Sequence, residues 1–155
     1  MSKSLTRVRT ALTTAGITPD IREVGQARTA QEAADSVGCA LDQIAKSIIF
    51  RGEVSGEALL FLTAGGNKVD ADLAAAVAGE ALGKADATLI RAQTGFAIGG
   101  VAPVGHLNPI RAWLDPRLCA FEVVWAAAGT PRHVFALDPE TLERLTGADQ
   151  AHFTA

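Results

Sequence analysis

Two stretches of this chain hold residue types that do chemistry. The first is Thr94-Gly95-Phe96-Ala97-Ile98-Gly99-Gly100-Val101-Ala102-Pro103-Val104-Gly105-His106, apolar yet carrying four glycines and a proline. A buried strand avoids that mixture, because glycine weakens a strand and proline removes a ladder donor. A solvent loop avoids its Phe, Ile and Val. What fits is a rigid backbone wall with an apolar lining. Glycines let a ligand approach peptide groups closely, with Gly100 expected at positive φ, and Pro103 fixes the turn. Such a wall, centred on Gly99 and Gly100, offers backbone N–H donors to a bound carbonyl. A plain bend in a sheet is the bland alternative. The second stretch is Ala45-Lys46-Ser47-Ile48-Ile49-Phe50, a lone lysine opening an apolar strand. At a pocket mouth Lys46 binds a phosphate or polarises a carbonyl. At an ordinary strand end its stem covers apolar surface while its head reaches water.

Other chemistries find little footing. Gly99, Gly100 and Gly105 do not form a dinucleotide fingerprint, and Gly65-Gly66-Asn67-Lys68 lacks the spacing and the following hydroxyl of a phosphate-binding loop. His106, His133 and His152 are scattered, so no metal site is expected. No nucleophile elbow is present. His106 reads as a hydrogen bonder at the pocket edge or as a turn residue, and Lys68 as a solvated loop residue. Asp70, Asp86, Asp138 and Glu140 stand where helices begin, and capping explains them. Cys39 and Cys119 are expected to be reduced, small core residues.

Elements must hold these groups in place. Leu5, Val8 and Leu12 recur at helical spacing, which predicts a helix over 4–15 ended by Gly16. A short strand over 19–24 follows, then a capping box of Thr29 and Glu32 before a helix that stops at Gly38. A short turn or helix around 41–45 leads into a strand over 46–51. Gly52 to Gly56 makes a hairpin turn into a strand over 58–63. Helices are expected from Asp70 to about Ala78 and over 86–93. Cys119–Ala126 reads as a strand, Gly129-Thr130-Pro131 as a turn and His133–Leu137 as the returning strand. Asp138-Pro139-Glu140 opens a last helix to about Thr146, and residues 148–155 read as a frayed tail. Helices alternate with strands while hairpins recur, which implies α+β or mixed α/β architecture.

The 155 residues fit one domain, 1–155, with 48% hydrophobic and 20% charged residues, the balance of a cytoplasmic globular protein. No run approaches the ~20 apolar residues of a membrane span, and no signal peptide is visible. The net charge of -3 lacks the basic footprint of non-specific nucleic-acid binding. That argues against DNA, and an RNA partner would be recognised at one end.

The quoted lysine strand, Gly66-Asn67-Lys68-Val69-Asp70, Thr94-Gly95-Phe96 and Gly99-Gly100-Val101-Ala102-Pro103-Val104-Gly105 together resemble the YbaK/prolyl-tRNA-synthetase-associated domain family of trans-editing aminoacyl-tRNA deacylases. The resemblance spans nearly the whole chain. It implies a barrel-like mixed sheet surrounded by helices, and hydrolysis of mischarged tRNA at its acceptor end. Proline tRNA is the implied substrate and prolyl-tRNA synthetase an associated protein. Lys46 then holds the terminal adenosine or the ester. Gly99 to Pro103, with Val101 and Ala102 between, positions the carbonyl, and Gly129 and Thr130 border the pocket. No cofactor is implied. Members that remove cysteine carry a serine and an acid near the late hairpin. Ala126 to Val134 is mostly small and apolar at those places, which favours alanine or 2-aminobutyrate. A binding module without turnover for a tRNA end or an amino acid, attached to a synthetase, is the alternative from another class.

Overall fold

The structure is a computed structural model that describes residues 2–25 and 27–155. Helix α1 (Lys3–Thr14) buries Leu5, Val8 and Leu12, the residues whose spacing predicts it. After β1 (Ile21–Glu23), helix α2 (Ala30–Val37) starts at Thr29, whose hydroxyl accepts from Glu32 N at 3.1 Å. The reciprocal bond of the capping box shifts by one residue, since the Glu32 carboxylate accepts from Arg28 N at 2.9 Å. Strands β2 (Ile44–Gly52) and β3 (Ala58–Ala64) form the central hairpin. Helix α3 (Ala71–Ala78), capped by Asp70, leads to β4 (Leu82–Lys84). Helix α4 (Ala87–Thr94), capped by Asp86, is stopped by Gly95 at φ 81°. Strands β5 (Arg111–Leu114), β6 (Val124–Ala127) and β7 (His133–Leu137) follow. Asp138 and Pro139 open α5 (Pro139–Thr146), and β8 (Asp149–Gln150) comes last.

The eight strands make one mixed sheet in the order β1-β7-β6-β2-β3-β5-β8, with β4 added to β2. β2 runs parallel to β6 and β3 parallel to β5, while the β2–β3 and β6–β7 pairs are antiparallel. This is the mixed α/β class that the alternation of helices and hairpins implies. β3 is buried at every position, because both its faces are covered. Its alternation divides the core. Leu60 and Leu62 join the cluster holding Val8, Phe96 and Leu114, while Leu59 and Phe61 join Trp113 and Phe153.

Four sequence expectations need correction. Cys119–Ala126 is not one strand. The Asp115 carboxylate accepts from Arg117 N at 3.0 Å and Pro116 follows it, so Pro116–Ala120 winds into a 3₁₀ turn and β6 begins only at Val124. Cys119 is exposed on that turn and Cys39 is half-buried, so neither is a core residue, although both are free thiols. Burial pushes both thiols above their ordinary range, with Glu143 and Asp115 adding to the effect at Cys119. Strands β4 and β5 have no strong strand signature of their own. Pairing with β2 and β3 makes them strands. The tail is not frayed either: β8 pairs with β5, Thr154 bridges to Val69, and Phe153 is fully buried.

Phe153 meets Phe61 edge to face at 5.0 Å between ring centroids. Phe153→Ala should therefore cost about 3–5 kcal/mol of unfolding free energy in urea titration, and a loss below ~1 kcal/mol would return the tail to the surface.

Candidate functional site

The site begins with a change of partner along β2. One edge of β2 pairs with β3 from Ala45 to Arg51. The other pairs with β6 through Ile44 and Ala45, then with β4 from Phe50 to Gly52. Between them, Lys46 to Ile49 have no strand partner on that edge among the described pairings. A cleft of about 290 Å³ opens there. It is walled by Ala30 and Ala33 of α2, by Trp125 and Ala126 of β6, by Gly99 and Val101, and by Thr130 and His133. Lys46 and Ser47 point to opposite faces of the strand, yet both line the cleft because it lies at the strand's edge.

Lys46 is tethered from behind. Its Nζ donates to Asn67 O at 2.7 Å, which leaves two donors. Asn67 in turn donates through Nδ2 to the buried Asp115 carboxylate at 2.9 Å, and Asp115 also accepts from Ala64 N. Burial pushes the Lys46 ammonium below its ordinary range. The carboxylates of Asp115 and Asp42 oppose that shift, and Lys68 adds slightly to it. No carboxylate lines the cleft among the described residues. The negative charges stand behind the lysine, so its free donors face an apolar space without an internal counter-ion.

Thr130 lines the cleft as the resemblance implies, and Ser47 and His133 join it there without having been expected. The Ser47 hydroxyl is buried and has no hydrogen-bond partner among the described residues. An unsatisfied buried hydroxyl costs about 1–3 kcal/mol, which is tolerable where a ligand completes it. Thr130 and His133 form a pair, with Thr130 Oγ1 2.7 Å from His133 Nδ1 and also accepting from Arg132 N at 3.1 Å. The available signals were a serine inside an apolar strand and a histidine two residues after the Gly129-Thr130-Pro131 turn.

The glycine segment divides in two. Gly99, at φ 90°, and Val101 face the cleft with Lys46. The left-handed conformation expected at Gly100 belongs to Gly99 instead. Gly100 is needed for close approach: a Cβ there would lie 2.8 Å from Thr130 Cα and 2.9 Å from its carbonyl carbon. Gly129, at φ 95°, is seated the same way, since its Cβ would meet Ser4 O at 2.8 Å. Ala102 is buried in the core. Pro103 and His106 line a different cleft of about 570 Å³, beside the end of α1 and α5. That larger space holds no Lys, Arg, Asp or Glu among its described lining residues, so the smaller cleft is the better candidate for chemistry.

The profile of the aminoacyl-tRNA editing domain matches residues 24–145. The chain belongs to that family. The editing domain is 32% identical over 144 residues to the uncharacterised protein YwhH of Bacillus subtilis (strain 168), covering 92% of this chain and 91% of that one. A solved structure described as a candidate trans-editing enzyme for prolyl-tRNA synthetase superposes with a TM-score of 0.93 at 44% identity, over 100% of this chain and 99% of the other. The hypothetical protein APE2540 shares the fold, with a TM-score of 0.86 at 24% identity over 96% and 99% of the two chains. Among the described residues of the editing domain, no group of three or more His, Cys, Asp and Glu could hold a metal ion. No described helix is long and apolar enough to cross a membrane.

His106 of the editing domain is a strut. Its Nε2 lies 2.6 Å from Ala102 O, and a carbonyl only accepts, so Nε2 carries the hydrogen. Burial pushes His106 below its ordinary 6.5, Arg7 lowers it further, and the bond to Ala102 partly opposes the shift. The folded state thus prefers neutral His106. Its contribution to stability is complete above the unfolded pKa and is lost as pH falls below it. Unfolding free energy should drop from about pH 7 to about pH 5, and His106→Gln, which keeps a donor for Ala102 O, should flatten that drop. Equal slopes for the two proteins would show that His106 titrates normally.

Proposed function

We propose that this editing domain is a cytoplasmic trans-acting deacylase. Its substrate is proline tRNA mischarged with a small amino acid such as alanine or 2-aminobutyrate. The observation that carries the reading is the convergence of Lys46, the unpartnered Ser47 hydroxyl and Gly99 on one small apolar cleft. The family match and the likeness to a candidate trans-editing enzyme for prolyl-tRNA synthetase support it, and they make that synthetase the expected associated protein.

An aminoacyl ester is already activated, and the site need only orient water and stabilise the developing oxyanion. Water adds to the carbonyl carbon, the bond to the ribose oxygen breaks, that oxygen takes a proton, and the free amino acid leaves. In this reading the backbone at Gly99 to Val101 faces the ester carbonyl. Lys46 holds the terminal adenosine or the ester with its two free donors. Ser47 and the Thr130–His133 pair hydrogen-bond the reacting end. Nothing in this sequence of steps calls on a cofactor. The acyl side chain sits against Ala30, Ala33 and Ala126, with Trp125 and Ile44 limiting its size. A larger side chain is excluded by clash, whereas one methylene separates small substrates by only ~1–3 kcal/mol.

The test is a deacylation panel of proline tRNA carrying Ala, 2-aminobutyrate, Ser, Cys and Pro. Multiple turnovers on Ala and 2-aminobutyrate with Pro spared support the reading. Stoichiometric binding without ester loss would establish the non-catalytic module instead. Lys46→Ala should lose on the order of 10²-fold in rate (~30- to ~160-fold), because a charge-assisted contact is worth about 2–3 kcal/mol, with little change in unfolding midpoint. Near-wild-type turnover by that variant would remove Lys46 from the site. In Gly100→Ala the new Cβ meets Thr130 backbone, which has no flexible side chain to yield. The wall must shift, and misplacement near ~1 Å should cost ~10²-fold in single-turnover rate while tRNA affinity holds. A wild-type rate would make Gly100 a packing residue alone.

A further inference from the structure

Helix α1 precedes the segment that matches the family profile, yet it grips the glycine segment at both ends. Arg7 Nε donates to Gly105 O at 3.0 Å and Nη2 to Thr94 O at 3.4 Å. Its guanidinium carbon lies 4.6 Å from the centroid of the Phe96 ring, inside the same segment. Gly105, at φ 79°, packs against the Arg7 backbone, where a Cβ would lie 3.2 Å from Arg7 O. Phe96 is fully buried, and its ring edge also borders Gly129. The contacts therefore run from Arg7 through Phe96 to Gly129, and from Thr130 back to Gly100.

We propose that Arg7 is a positioning residue for the site: it fixes the backbone from Gly99 to Val101 by clamping the segment at Thr94 and Gly105 and by seating Phe96. The proposal rests on the deacylase reading for its kinetic consequence, but the clamp itself is observable without substrate. A guanidinium suits this task because its planar fork serves two carbonyls while its face lies over a ring. Lysine, with one compact charge, cannot reproduce all three contacts. The side chain acts through the loop and touches no reacting atom.

The experiment compares wild type, Arg7→Met, Arg7→Lys and the control Arg9→Met, an exposed cation on the same helix. Arg7→Met should slow single-turnover deacylation by ~10–10²-fold with tRNA affinity unchanged, Arg7→Lys should recover part of the loss, and Arg9→Met should match wild type. Amide hydrogen exchange should quicken over residues 96–101 in Arg7→Met while the β3 amides keep wild-type protection. Faster exchange in β3 as well would make Arg7 a general stability residue and overturn the proposal. So would an unchanged rate with unchanged loop exchange, or an equal loss of rate in Arg9→Met. If wild type deacylates no substrate in the panel, the deacylase reading fails by itself, and hydrogen exchange alone decides for or against the clamp.

Discussion

Strand β2 is shared between two neighbours on one edge. It leaves β6 after Ala45 and takes up β4 at Phe50. Backbone groups of a strand need partners, and an interval without them in the middle of a sheet is costly unless something else fills it. Here the interval coincides with the cleft, and the first two residues along it are Lys46 and Ser47. The lysine reaches back to the turn after β3, and the serine hydroxyl finds no partner among the described residues. The same topological feature thus creates the space, supplies a cation to it and leaves a hydroxyl waiting in it.

The walls of that space are fitted to each other by the absence of side chains. Gly100 and Thr130 approach at backbone distance, and Gly129 meets the backbone of α1 at Ser4. Two loops far apart in sequence therefore form one continuous wall, with a helix behind it. Such close backbone packing favours a fixed template over a mobile lid, as the proposed orientation of an activated ester would require.

Charge follows the same logic of placement. The chain is acidic overall at -3, but no Asp or Glu lines the cleft among the described residues, and Asp42 and Asp115 stand behind Lys46. Asp42 is held below the usual carboxylate range, chiefly by its hydrogen bond with Arg117, and it accepts from Gly66 N at 2.8 Å. Asp115 anchors Asn67, and Asn67 anchors Lys46. The polyanionic end of an RNA would thus meet a cation and neutral donors first, which reconciles an acidic protein with a proposed nucleic-acid substrate.

Features decided within a few residues were legible in the sequence. The caps at Thr29, Asp70, Asp86 and Asp138, the stops at Gly16 and Gly38, and the β2–β3 hairpin all follow from local hydrogen bonding, chain stiffness and periodicity. Lys46 and the unusual glycine segment stood out because their composition conflicts with an ordinary strand or loop. Tertiary structure decided what depends on distant partners. Strands β4, β5 and β8 exist because β2, β3 and β5 offer edges to them. The residues of 95–106 separate between two clefts, with Gly99 and Val101 beside Lys46 and with Pro103 and His106 on the far side. Gly100 is constrained by Thr130, thirty positions on, and no local rule carries that contact. Local propensity acts over one or two turns of chain, whereas a site at a strand edge is defined by which other strand ends there.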